Sequence, residues 1–417
     1  MRWQVATSLR EFDGIPAVRA PQAEFSQRTW ALGWTGVQRP QHGGNRAWGA
    51  AIAGCPAEAI LDFSASLNPL GPPQSVLQAL ARALSASDPV AISRYPDPDY
   101  RELRACLAQR WAVDPEWIFV GNGAAELLTW AARDAQGREV WLPRPAFGDY
   151  ERALRAAGVT LRGLDLLPSQ GSPPLALLQK EIRADKTGRV LWLNNPHNPT
   201  GRLFLRQDIL PLLPQFEQVV VDEAFMDFLP GDAPQELPPL DASSEVGELP
   251  RSQTLIPHLE AHPNTIVIRS LTKFFTLPGL RIGFAVGHPD HWRRWRQWRD
   301  PWSVNGLAAV AAAAALADED FRRRTLAWLP TAREHLLRGL QGLPGWDPWP
   351  GQANFVLVRC PGSATQIQEK LLRQHRILVR DCLSFPELGD RYLRIGLRTL
   401  PEQEQLLSAC REILENS

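Results

Sequence analysis

Between residues 117 and 286 the chain keeps returning to one pattern, a short, mostly apolar run followed by a segment with helical spacing. Runs at 117–120, 139–142, 190–193, 219–221, 265–268 and 282–286 read as strands, and 124–132 and 147–157 read as helices. Such runs lack regular polar alternation, so they suit strands buried on both faces. That requires a mostly parallel sheet with helices on either side, an α/β fold. Open sheets of this kind bind ligands beyond the carboxyl ends of their strands. The chain's chemically unusual residues cluster at those strand ends.

The flanking sequence sets the domain plan. Residues 1–41 have no periodicity and read as an extension, and 42–92 as an arm that also contributes to a small domain. Residues 93–303 form the large domain. A Pro-, Gly- and acid-rich stretch at 230–257 interrupts it and reads as a surface insertion. Residues 304–417 begin with a long helix, continue through a strand at 354–358 and two further helices, and read as a small α+β domain. The alanine-rich run 308–317 is too short to span a bilayer and reads as a helix packed closely on a neighbour.

Lys+Arg and Asp+Glu both number 45, so nothing in the charge balance calls for nucleic acid or a membrane surface. The five cysteines have no C-x-x-C spacing, which argues against a zinc site or a disulfide framework and fits a reducing cytoplasm. The N-terminus is a poor secretory signal.

Lys273 is the chemical centre. It follows the strand at 265–268, with the hydroxyls of Ser270 and Thr272 just before it and Arg281 eight residues after it. Desolvation beside apolar sequence would lower an amine's pKa and let it condense with an aldehyde. Ser270 and Arg281 could together hold one phosphate. An aldehyde cofactor that carries a phosphate is pyridoxal 5′-phosphate (PLP).

Four further clusters fall at strand ends. Gly121-Asn122-Gly123-Ala124-Ala125-Glu126 lies between a strand and a helix, where unpaired N–H groups suit a phosphate. Phe147, in P-R-P-A-F-G-D-Y, could stack on a flat ring. In Asn194-Asn195-Pro196-His197-Asn198-Pro199-Thr200-Gly201, Asn195 or Asn198 could bond a cofactor hydroxyl, and His197 reads as an ordinary loop residue. Asp222, in Val221-Asp222-Glu223-Ala224-Phe225, is a carboxylate at a buried strand end and needs a partner. A pyridinium nitrogen would serve, leaving Glu223 a structural role.

Taken in order, these motifs resemble the fold-type I PLP enzymes, the aspartate-aminotransferase superfamily, over residues 42–415 apart from the insertion. N-N-P-x-N-P-T-G, D-E-A and S-L-T-K look like histidinol-phosphate aminotransferases. H-G-G-N at 42–45, D-F-S-A-S-L-N-P-L-G at 62–71, R-Y-P-D-P-D-Y at 94–100, D-E-A-F-M-D-F at 222–228 and P-W-S-V-N at 301–305 resemble more closely the L-threonine-O-3-phosphate decarboxylases of cobalamin biosynthesis. Phe225 stands where aminotransferases usually carry a tyrosine.

The resemblance implies that Lys273 and Asp222 are catalytic and that Asn198 contacts the cofactor's O3′. It also implies a homodimer in which Tyr95 reaches the partner's cofactor phosphate. Arg380, Arg394 and Arg398 are the implied substrate-anion sites, with His42 and Asn354 as further candidates. The implied reaction is decarboxylation of L-threonine O-3-phosphate, with histidinol-phosphate transamination as the alternative. A non-catalytic PLP-fold regulator is disfavoured by the intact Lys273 and by the absence of a basic helix-turn-helix before residue 42.

Overall fold

In a computed structural model of the chain, residues 39–415 are described, apart from 88, 166–174, 176–181, 183–185 and 232–251. The strands in chain order are β1 (Leu61–Asp62), β2 (Ile118–Gly121), β3 (Glu139–Arg144), β4 (Thr160–Asp165), β5 (Arg189–Asn194), β6 (Gln218–Asp222), β7 (Thr265–Ser270) and β8 (Gly283–Gly287). They continue with β9 (Asp347–Trp349), β10 (Phe355–Arg359), β11 (Ile377–Leu378), β12 (Arg380–Asp381) and β13 (Tyr392–Gly396).

Seven of these form one sheet in the order β2-β8-β7-β6-β5-β3-β4. Every neighbouring pair is parallel except those made by β8, which runs antiparallel to both β7 and β2. The exception has a local cause. Between β7 and β8 the chain makes only the one-turn helix Leu271–Phe274 and a short loop, too little for a crossover back to the other end. The carboxyl ends of β2, β3, β5, β6 and β7 therefore share one edge of the sheet, and β8 begins there.

Side-chain alternation then builds two cores. Val219, Val221 and Val267 face one layer, while Val220, Ile266 and Ile268 face the other. All are essentially inaccessible, as a doubly covered sheet requires. The edge strand β4 escapes a search for apolar runs because Thr160, Arg162, Gly163 and Asp165 are exposed. Six residues of pairing with β3 recruit it.

The smaller sheet, β12-β13-β10-β9, is wholly antiparallel. β1 pairs in parallel with β11 and so ties the arm to the C-terminal region. The alanine-rich helix Gly306–Leu316 packs on Gln74–Ser85, with Ala308, Ala311, Ala312 and Ala315 buried. Gly306 comes so close to the Ala91 carbonyl that a Cβ would lie 2.4 Å from its oxygen.

Two expectations need correction. The long helix after Pro301 is two helices, Gly306–Leu316 and Glu319–Gln341. Asp318 starts the second by accepting the Phe321 N–H at 2.8 Å. The proposed surface insertion at 230–257 is too long. Residues 232–251 lie outside the described residues, but Ser252, Thr254, Leu255 and Ile256 are buried and belong to the core. No described helix is long and apolar enough to cross a membrane.

Candidate active site

Lys273 projects from the single helical turn that ends β7. Ser270 starts this turn by accepting the Thr272 N–H at 3.3 Å. Asn68 braces it from outside. The Asn68 N–H donates to the Lys273 carbonyl at 3.1 Å, and its amide donates to Phe274 O at 2.9 Å and Thr325 Oγ1 at 2.8 Å. The Asn of the 62–71 motif thus holds the lysine's backbone. Lys273 is half-buried, and desolvation, aided by the charges of Arg394 and Arg281 and opposed by Asp222, pulls its amine down to about 8.

Asp222 closes β6 and is buried. Its Oδ1 accepts the Ala224 N–H at 2.9 Å, and its Oδ2 accepts the Tyr150 hydroxyl at 2.5 Å. Burial pushes the carboxyl up, against the opposing pull of Tyr150, Ala224 and Lys273. Burial and the adjacent carboxylate push the Tyr150 phenol well above its usual range, so the phenol keeps its proton and donates. Sequence reasoning missed Tyr150. Its signal was the spacing to Phe147, one helical turn earlier in P-R-P-A-F-G-D-Y, and the two rings meet edge to face at 5.5 Å. Glu223 is structural, as its position suggested: it takes Arg269 at 3.1 Å, the Thr254 hydroxyl at 2.6 Å and the Leu255 N–H at 2.9 Å.

The glycine turn leads from β2 into the helix Ala124–Asp134. Gly123 has φ +77°, and a Cβ there would lie 2.6 Å from Arg281 Nη2. Across the turn, a Cβ on Gly283 would lie 2.8 Å from the Ala124 nitrogen. Both glycines are needed because guanidinium, helix N-terminus and β8 converge on one small space. Ala124, Ala125, Ser270, Thr272 and Arg281 all line the same cavity as Lys273, which has a volume of about 250 Å³.

The Asn-Pro loop divides its labour. Asn195 is bonded to Phe204 through both ends of its amide, at 2.9 and 3.0 Å, and serves the loop itself. Asn194 donates to the Asp222 carbonyl at 2.9 Å and accepts the Asn198 N–H at 2.6 Å. This turns Asn198 into the cavity, where its Oδ1 accepts from Arg394 Nη1 at 2.7 Å. His197 is buried rather than solvated. It bonds Thr200 at 2.8 Å, and burial pulls its pKa down to about 4.

Basic groups gather at the other end of the cavity. Arg394 and Arg380 are register partners on β13 and β12. Arg394 is buried, donates to Ser64 O at 3.2 Å and lies 5.1 Å over the Phe355 ring. Burial pulls it down to about 10. Arg380 donates to the carbonyl oxygens of Pro40 (2.9 Å) and Gln41 and to Ser384 Oγ (2.6 Å). Residues 40 and 41 therefore belong to the site, not to the extension. His42 and Phe147 also line the cavity; His42 Nε2 is 3.5 Å from Asp149, and its ring is 5.6 Å from that of Phe147.

Three of the candidates, among them Tyr95, which was expected at the partner's site, do not line this chain's cavity. Arg398 lies outside this cavity, because the chain leaves β13 at Gly396 and turns into the last helix. There Arg398 pairs with Glu402 at 2.6 Å and lines a separate cleft with Arg46 and Glu58. Asn354 stands behind the wall and donates to Ser66 O at 3.0 Å. Tyr95 is exposed and stacked on Trp302 at 4.4 Å, away from its own chain's cavity. Phe225 lines the cavity, edge-on to Phe355 at 5.2 Å.

A depressed amine, a buried carboxylate, and a glycine turn closed by a guanidinium at a helix N-terminus are the fittings PLP requires, and the arrangement accommodates it. The comparisons agree. The model of the family "Aminotransferase class I and II" matches residues 58–413. Threonine-phosphate decarboxylase of Salmonella typhimurium is 36% identical over 378 residues, which cover 89% of this chain and 96% of that protein. Histidinol-phosphate aminotransferase 2 of Nitrosospira multiformis is 30% identical over 370 residues, 87% of this chain and 86% of that one. Among solved structures, L-threonine-O-3-phosphate decarboxylase from Porphyromonas gingivalis superposes with a TM-score of 0.70 at 26% identity, covering 85% of this chain and 99% of that one. Together with the lysine, carboxylate and glycine turn at one sheet edge, these matches establish that the chain belongs to the class I and II aminotransferase family, with the fold-type I architecture of its PLP-dependent members.

Proposed function

We propose that the chain is a PLP-dependent decarboxylase converting L-threonine O-3-phosphate to (R)-1-amino-2-propanol O-2-phosphate and CO2, as in cobalamin biosynthesis. The observation that carries this reading is the union, in one cavity, of the Lys273–Asp222 pair with Arg394, Arg380, and His42 and Gly43 of the H-G-G-N segment. The 36% identity to a threonine-phosphate decarboxylase supports it. PLP would be held by Lys273, by the Ala124 and Ala125 N–H groups with Ser270, Thr272 and Arg281 at its phosphate, and by Phe147, Asn198 and Asp222 around its ring. When bound, it supplies an electron sink for the pair released as the Cα–carboxylate bond breaks.

The chain's own groups do the rest. Arg394 and Arg380 are forked cations for the two anionic groups of the substrate, and orienting those groups selects which Cα bond stands ready to break. Lys273 Nζ, with its low proton affinity, exchanges a proton near neutral pH and returns one to Cα. The hydrogen bonds from Tyr150 and Ala224 favour the carboxylate form of Asp222 against the pull of burial. Phe225 contributes an apolar wall with no hydroxyl at that position.

A homodimer in which Tyr95 reaches the partner's site belongs to the same proposal. It is supported by the exposed apolar groups Val90, Ile92, Tyr95 and Trp302 near one another in the chain's fold. A cytoplasmic location is supported by the five unpaired cysteines. Purified, PLP-loaded protein should release CO2 from threonine phosphate with no keto acid present. Turnover of histidinol phosphate that depends on 2-oxoglutarate, without CO2 release, would replace this reading with the aminotransferase one.

A further inference from the structure

The segment 41–44 is fastened to the stretch after β1 by one hydroxyl. Ser64 is buried; its Oγ donates to Asp62 Oδ1 at 2.6 Å and accepts the Gly44 N–H at 2.8 Å. The Ser64 N–H goes to the same carboxylate oxygen at 2.7 Å. Asp62 thus fixes where the hydroxyl hydrogen points and leaves a lone pair for Gly44. The fit is close: a Cβ on Gly43 would lie 2.1 Å from Ser64 O, and Gly44 has φ +88°. Arg398 reaches Asp62 from behind, through its carbonyl at 3.4 Å. At its other end the segment gives the carbonyl oxygens of Pro40 and Gln41 to Arg380. Gln41, His42 and Gly43 form cavity wall.

We infer that Ser64, oriented by Asp62, is a positioning residue that seats this wall beside Arg380 and so sets affinity for an anionic group of the substrate. The inference rests on reading the cavity as the site of a phosphorylated amine, and it deepens that reading by naming what holds the anion-facing wall in place.

The test compares PLP-loaded wild type, Ser64→Ala and Ser64→Thr. Loss of the neutral bond from the Gly44 N–H should weaken binding of inorganic phosphate, measured by calorimetry, and raise KM for threonine phosphate, each by about three- to tenfold. The loss should fall more on KM than on kcat, the signature of lost binding rather than lost chemistry. Amide exchange over 40–47 should speed up in Ser64→Ala, and Ser64→Thr, which keeps the hydroxyl, should restore all three readouts. Unchanged exchange, faster exchange with unchanged phosphate affinity, or a fall confined to kcat would each overturn the inference. If wild type releases no CO2 from threonine phosphate, the decarboxylase reading fails separately, and the phosphate and exchange measurements still decide the role of Ser64.

Discussion

Tyr150 donates its phenol hydrogen to Asp222 across 2.5 Å, joining the first helix after β3 to the carboxyl end of β6. The bond lies inside a buried pocket, where a carboxylate without donors would take up a proton. Tyr150, together with the Ala224 N–H, therefore favours the anionic form of Asp222 against burial. Replacing Tyr150 with Phe should cost about 1.5–3 kcal/mol of that stabilisation, a tenfold or greater loss of PLP affinity. Fluorescence titration of apoprotein with PLP checks this.

Lys273 should titrate near 8. Its folded pKa lies below the unfolded value of 10.5, so the unfolded chain binds the extra proton in between. The destabilisation is fully present below pH 8 and fades as pH rises toward 10.5. The rate at which apoprotein captures PLP should rise across pH 7–9 and then level off. Lys273→Ala should carry no pyridoxyl label after borohydride reduction and should lose about 10²–10⁴-fold in turnover. A label retained by that variant would remove the central assignment.

Gly123→Ala should fold yet hold PLP poorly. The new Cβ would press on Arg281 Nη2 at 2.6 Å and occupy a left-handed backbone region at φ +77°, at a conformational cost of about 1–2 kcal/mol. Thermal melting with and without PLP separates the two effects. The gain in Tm on adding PLP should shrink more than the Tm of the apoprotein falls.

Arg394→Met removes one of the cavity's three guanidiniums and leaves Asn198 Oδ1 and Ser64 O without their donor. Truncating one partner of a buried charged contact costs about 2–5 kcal/mol, so kcat/KM for threonine phosphate should drop by roughly 30- to several-thousand-fold. Arg398→Met, outside the cavity, should cost less than about tenfold. Steady-state kinetics of the two variants side by side tests the division between the two arginines.

Much of this molecule was legible one residue after another. Apolar runs, glycines that need open backbone and prolines that end helices act over a few residues, so the mostly parallel sheet was readable in advance, as was the gathering of Lys273, Asp222, Arg281 and an asparagine of the Asn-Pro loop, Asn195 or Asn198, at its edge. Folding decided what depends on distant segments meeting. Tyr150 finds Asp222 across 72 positions, Arg380 takes the carbonyls of Pro40 and Gln41 from 340 and 339 positions away, and Arg398 turns away from the cavity that Arg394 enters. No local pattern encodes those pairings, because a hydrogen bond is set by where two groups end up in space, and only the packed sheets and helices put them there.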